Sequence, residues 1–160
     1  MTAKSRSSPP ESAGELKGRA LRLLARREHS RAELARKLAP HAGSGAAVET
    51  LLAALEAGRQ VSDERFAEAR AHQLSRKYGA ERVRRDLLAR GVAPDVAARL
   101  AADSRSGDVE RAHAILARKY RSPATTTKER ARRIRFLQSR GFSLDVIRSA
   151  VAGAASGESP

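Results

Sequence analysis

The chain has 160 residues, a length that suits one domain or a few small repeats and leaves little room for a large two-domain enzyme. Leu, Ile, Val and Phe number only 30 against 32 Ala and 26 Arg, with a net charge of +14, which suits thin helices with small contact faces rather than a thick core. The absence of Cys excludes disulfides, thiolate metal sites and cysteine nucleophiles; with no apolar run of membrane-span length (about 18 residues) and no apolar export core in Met1 to Pro10, a cytoplasmic protein without a membrane partner is expected.

Residues 1–14 hold a Ser- and Pro-rich start and are expected to form a disordered tail. Repeat 1, residues 15–60, opens with Leu16, Ala20, Leu23 and Leu24 on one helical face. Its second helix starts at Ser30 with Glu33 three residues on, a capping-box pattern, and closes before Pro40. Its third carries Val48, Leu51, Leu52 and Leu55 and stops at Gly58.

Repeat 2, residues 61–104, begins at Ser62, an N-cap followed by Asp63 and Glu64 in the positive first turn, and its first helix runs through Phe66, Ala69 and Leu74 toward Tyr78 and Gly79. Val83 and Leu87 then lead to Gly91, and Pro94 sits at the first position of a helix with Val96, Ala97 and Leu100 on one face. Repeat 3, residues 105–151, follows a Ser/Gly break from Ser104 to Gly107 and carries Ala112, Ile115, Leu116 and Tyr120. A Thr126/Glu129 capping box then precedes Ile134 and Leu137, which lead to Gly141, and Ser143 caps a helix with Ile147 and Val151. Residues 152–160 lack periodicity and are expected to be a flexible tail.

The helical sets repeat one another. Arg76-Lys77-Tyr78 recurs as Arg118-Lys119-Tyr120, and Leu87 with Arg90-Gly91-Val92 recurs as Leu137 with Arg140-Gly141-Phe142; Leu55, Gly58 and Val61 are the weaker counterpart in repeat 1. The fold class expected is all-α, an elongated tandem array of three three-helix repeats with nine short helices. One set alone buries too few apolar side chains to offset the ordering of its backbone, so neighbours must stack.

His29, His41, His72 and His113 lack metal-ligand spacing, Gly43-Ser44-Gly45 reads as a helix connection rather than a phosphate loop, and no catalytic constellation is found. Neither an enzyme activity nor a cofactor is expected. Lys and Arg exceed Asp and Glu by 5 in residues 1–60, by 3 in 61–106 and by 6 in 107–160, and such a distributed basic surface fits an extended anionic partner. On a helical wheel Arg19, Arg22 and Arg26 lie opposite Ala20 and Leu24. Arg82 and Arg85 lie opposite Val83 and Leu87, and Arg132, Arg133 and Arg140 surround Phe136. These nine residues are the candidate contacts for a partner; an aromatic ring within an arginine stripe can stack on a base or enter a protein pocket.

Four blocks taken together carry a family resemblance: Ala20-Leu21-x-Leu23-Leu24-Ala25-Arg26-Arg27-Glu28-His29-Ser30-Arg31-x-Glu33-Leu34; Val61-Ser62-Asp63-Glu64-Arg65-Phe66-Ala67; Tyr78-Gly79-Ala80-x-x-Val83-Arg84-x-x-Leu87 with Gly91-Val92; and Arg135-Phe136-Leu137-x-x-Arg140-Gly141-Phe142-Ser143. In order and spacing, from about Leu16 to Val151, the chain resembles the RecX regulatory family. The resemblance implies three tandem three-helix repeats and a non-enzymatic protein that binds the RecA recombinase filament and restrains its ATP hydrolysis, strand exchange and co-protease activity. A monomer that also touches single- and double-stranded DNA directly is expected. The alternative is a direct DNA-binding, helix-turn-helix-like regulator, which the scarcity of base-reading side chains disfavours: there are three Gln and no Asn.

Overall fold

The computed structural model describes residues 9–156, and the side chains through residue 153. Among the described residues the chain is helical, with no strand: α1 (Ala13–Leu24), α2 (Arg31–Leu38), a 3-10 turn (Ala39–His41), α3 (Gly45–Ala57), α4 (Asp63–Ser75), α5 (Ala80–Ala89), α6 (Pro94–Arg105), α7 (Asp108–Lys119), α8 (Thr127–Ser139) and α9 (Leu144–Ser156). The all-α class and its three sets of three helices follow the apolar periodicity. The chain divides between Phe66 and Ala67, within α4, into two compact units.

In the first unit α1, α2 and α3 pack on one another around Leu16, Ala20, Leu34, Leu38, Val48, Leu52, Leu55 and Val61, all buried. Its start corrects the tail expected over residues 1–14. Ser12 and Glu15 form a reciprocal capping box, so α1 begins at Ala13, and the Glu11 N–H donates to the His41 carbonyl at 2.8 Å. Residues 1–8 lie outside the described residues. The Ser30 hydroxyl accepts from the Glu33 N–H, and Ser44 caps α3 through the Ala47 N–H, which gives the Gly-Ser-Gly connection its role.

The end of α3 departs from the expected glycine stop. Gly58 has φ −78°, and Arg59 takes the left-handed conformation at φ 56° while the Gln60 N–H donates to the Leu55 carbonyl at 2.8 Å. At α5 and α8 the corresponding left-handed residues are Gly91 (φ 82°) and Gly141 (φ 80°), with Val92 donating to Leu87 and Phe142 to Leu137. These are three Schellman ends on one plan. Repeat 1 has its closing residue one position later than the Gly58 register, and a side chain occupies a place where glycine is unstrained.

In the second unit α5 packs on α6, while α7 and α8 both pack on α9. Ala71, Leu74, Val83, Leu87, Val92, Ala97 and Ala101 are buried, as is the cluster of Ala112, Leu116, Leu137, Phe142, Val146, Ile147 and Ala150. Helix α5 has no side chain at its N-cap; its first donors are met by other elements. Gly79 N–H reaches the Arg140 carbonyl at 3.0 Å, Glu81 N–H the Gly141 carbonyl at 3.2 Å, and Ala80 N–H the Asp108 carboxylate at 3.1 Å. The backbones approach so closely that a Cβ on Gly79 would stand 2.5 Å from the Gly141 oxygen.

Two element ends differ from expectation. Helix α6 continues through Arg105, leaving Ser106 and Gly107 as the break before α7. Helix α9 continues through Ser156, which overturns the tail expected from residue 152: alanines lacking apolar periodicity still propagate a helix. Residues 157–160 lie outside the described residues.

Candidate functional site

The two Arg-Lys-Tyr triplets stand at helix C-termini, where cations complement the partial negative charge of the last carbonyls: Arg76-Lys77-Tyr78 follows α4, and Arg118-Lys119-Tyr120 closes α7. In the second unit they converge. A cavity of about 290 Å³ is lined by Arg76, Lys77, Ile115, Arg118, Lys119, Phe136 and Arg140. One of about 530 Å³, which shares Arg76, Lys77 and Arg118 with it, is lined further by Arg70, Gln73, Leu74 and Tyr78.

Aromatic rings make this crowding of cations tolerable. Tyr120 and Phe136 meet edge to face, with centroids 6.0 Å apart and planes at 86°. Lys119 Nζ lies 4.1 Å and Arg140 Cζ 4.7 Å from the Phe136 centroid, and Arg82 and Arg140 lie 5.4 and 5.7 Å from that of Tyr78. Arg140 is further fixed by donating from Nη1 to the Lys77 carbonyl at 3.0 Å.

At the edge of the cleft Asp86 receives Arg70 at 2.8 and 3.0 Å and Arg90 at 2.8 Å. Burial works to raise the Asp86 carboxyl, but the hydrogen bonds and charges of Arg70 and Arg90 outweigh it and hold its pKa below the ordinary value. The cleft is thus a preorganised cationic surface with forked guanidinium donors and apolar ring edges. It can bind phosphate or carboxylate groups, and it has no arrangement of nucleophile and base.

Of the nine candidate contacts, Phe136 and Arg140 line this cleft, and Arg82 stands over the Tyr78 ring beside it. Arg133 is corrected: it is only 6 % exposed, stacks over Tyr120 at 4.8 Å and donates to the Ser122 carbonyl, so it holds the 120–126 connection rather than facing outward. Arg132 and Arg85 are exposed, Arg85 with a long bond (3.4 Å) to the Glu81 carbonyl. In the first unit Arg19 is engaged by Glu11, Arg22 is exposed on α1, and Arg26 lies past the end of α1 rather than on its face.

Arg76, Lys77, Tyr78, Arg118 and Lys119 were not among the candidates. Their signal was the triplet repeat itself, which reads as a register mark because helix-end dipoles already account for cations there. Among the described residues no group of three or more His, Asp or Glu is placed to hold a metal, and no helix is long and apolar enough to cross a membrane.

The family models of the RecX three-helix domains match this chain one after another: the first domain over residues 17–53, the second over 62–99 and the third over 107–151. The chain belongs to the RecX family. It is 47% identical over 135 residues to the "Regulatory protein RecX" of Herbaspirillum seropedicae, covering 84% of this chain and 88% of that protein. With the "Regulatory protein RecX" of Leptothrix cholodnii it shares 45% over 133 residues, covering 83% and 85%. The crystal structure of RecX from Lactobacillus salivarius superposes with a TM-score of 0.68 at 17% identity over 89% of this chain and 96% of that one, a likeness of fold. Both Arg-Lys-Tyr triplets, Phe136 and Arg140 fall within the second and third matched domains.

Proposed function

We propose that this RecX-family chain is a modulator, mainly negative, of the RecA recombinase: it binds the RecA–DNA filament and restrains ATP hydrolysis, strand exchange and co-protease activity, with no enzymatic activity of its own. The reading places it in the cytoplasm as a monomer that contacts the recombinase and, directly, single- and double-stranded DNA. The observation that carries it is the convergence of the two Arg-Lys-Tyr triplets with Arg140 and Phe136 on one cationic, ring-lined cleft. A nucleoprotein filament offers phosphate and acidic protein surface side by side, and such a cleft suits either. Family membership supports the regulatory role.

The helix-turn-helix alternative requires a basic third helix in a set. Helix α3 contains no Lys or Arg, α6 has only Arg99 and Arg105, and α9 only Arg148. The cations concentrate instead on the second helices and at helix ends, which favours backbone and protein contacts over base reading.

The test is single-strand-dependent ATP hydrolysis by the cognate recombinase, titrated with the protein. Inhibition well below equimolar ratio, weakened about tenfold or more by the double reversal Arg118→Glu/Lys119→Glu at unchanged melting midpoint, is the expected result. Unaltered hydrolysis at equimolar parent protein overturns the reading. A variant that inhibits as well as the parent removes the cleft from the interface.

A further inference from the structure

The third helix set carries a second surface of different chemistry. Leu144, Ile147 and Val151 follow one another along α9 at helical spacing, and together with Ile134 of α8 they line a groove of about 400 Å³. Leu144 is 54 % exposed, against 39 % for Val109 and 36 % for Leu21, the other large apolar side chains open to solvent among the described residues. Arg130 of α8 and Arg148 of α9 flank these side chains, and Arg148 is 78 % exposed. The neighbouring acid, Asp145, is 92 % exposed and meets Arg148 only at 3.5 Å. Helix α8 adds Lys128, Arg132 and Arg135 to the local field, while its one acid, Glu129, is taken up by the Thr126 cap.

Charge selects the occupant. A second copy of a chain with net charge +14 would bring one arginine-flanked groove against another strongly basic surface. Residues 157–160, Gly-Glu-Ser-Pro, hold no large apolar side chain to fill the groove. We infer that the α8–α9 groove docks an acidic amphipathic helix of a partner protein, whose apolar side chains seat against Leu144, Val151 and Ile134 above the buried Ile147 while its carboxylates reach Arg130 and Arg148. Helix-in-groove recognition of this kind reads anchors at i, i+3 and i+7, the spacing that α9 itself presents. Carboxylate rims then add orientation and speed of association.

The probe is a fluorescein-labelled peptide of about fourteen residues with Leu at i, i+3 and i+7 spacing and Glu at the remaining polar positions, followed by anisotropy against the full chain. The parent is expected to bind it. Leu144→Glu, a change at an exposed position that should leave the melting midpoint in place, and the double reversal Arg130→Glu/Arg148→Glu are each expected to weaken binding about tenfold or more. The same peptide with Lys in place of Glu should not bind, and Arg118→Glu/Lys119→Glu, in the other cleft, should bind the acidic peptide as the parent does. No binding by the parent, equal binding by Leu144→Glu, equal binding of the Lys peptide, or loss of binding in Arg118→Glu/Lys119→Glu each overturns the assignment. So does light scattering that shows a parent dimer dissociated by Leu144→Glu, which would give the groove to a second copy. Recombinase and DNA are absent from this assay, so its outcome is separate from that of ATP hydrolysis.

Discussion

Asp108, 1 % exposed at the first position of α7, accepts a hydrogen bond at 3.1 Å from the backbone N–H of Ala80, the first residue of α5. Its other oxygen receives Arg111 at 2.7 Å. The first unit repeats the device: Asp63, at the first position of α4, accepts from the backbone N–H of Arg31, the first residue of α2, at 2.7 Å. In both cases the opening carboxylate of one helix set caps the second helix of the set before it. Each carboxylate thus supplies an acceptor to a helix N-terminus that has no fourth-residue carbonyl to meet it.

Replacing Asp108 by Ala leaves a buried N–H without its acceptor and Arg111 with the Ser104 carbonyl but no carboxylate, and should cost about 2–3 kcal/mol in urea denaturation. Asp108→Asn keeps an oxygen for Ala80 and should cost about half as much. Asp63→Ala, at a half-exposed position, should cost about 1 kcal/mol.

The three Schellman ends make opposite demands. Arg59→Gly removes left-handed strain and should stabilise the protein by about 0.5–1 kcal/mol. Gly141→Ala should destabilise by more than the roughly 1–2 kcal/mol of backbone strain, because its Cβ would also stand 2.5 Å from the Arg82 nitrogen. Equal melting midpoints for Arg59→Gly and the parent would show that this turn rearranges without strain.

Adjacent arginines on α8 should behave differently. Arg132 is exposed, so Arg132→Ala should change stability by no more than about 0.5 kcal/mol. Arg133 is buried over Tyr120 and holds the Ser122 carbonyl, so Arg133→Ala should cost about 2 kcal/mol and free the 120–126 connection to proteolysis.

Two partly buried groups, His29 and Asp86, should respond to acid in separate pH windows. Burial lowers the pKa of His29, whose Nδ1–H donates to the Arg27 carbonyl at 3.0 Å. The unfolded chain therefore takes up this proton first, and stability declines as pH falls below about 6.5. His29→Phe should flatten that part of the profile. Asp86, held below its ordinary pKa by Arg70 and Arg90, contributes stability that is present above about pH 4 and lost as pH falls through its folded value. Asp86→Asn should lower neutral-pH stability by about 1–2 kcal/mol, a figure discounted because the two arginines remain 24 % and 30 % exposed, and should blunt the loss below about pH 4. Melting midpoints across pH 3–8 measure both effects, with about pH 5 separating the two windows.

The sequence by itself determined the helices and their grouping, because an apolar side chain every third or fourth residue, a Ser or Thr before a first turn and a glycine after a last one are local chemistry. Leu87 with Gly91 and Leu137 with Gly141 were legible for that reason, and so was the Thr126/Glu129 cap. Residues that read alike locally were separated only by the tertiary structure. Arg132 and Arg133 are neighbours on one basic helix, yet one is exposed and the other buried, because Tyr120 and the Ser122 carbonyl arrive from a connection outside α8. Asp63 and Asp108 look like first-turn acids answering a helix dipole, and their bonds to the N-termini of α2 and α5 join residues 32 and 28 positions apart, which only the folded chain brings together. The cleft follows the same rule: each Arg-Lys-Tyr triplet is an ordinary helix end, and they become one cationic surface because folding carries Phe136 and Arg140 between them, with aromatic rings offsetting the mutual repulsion of the charges.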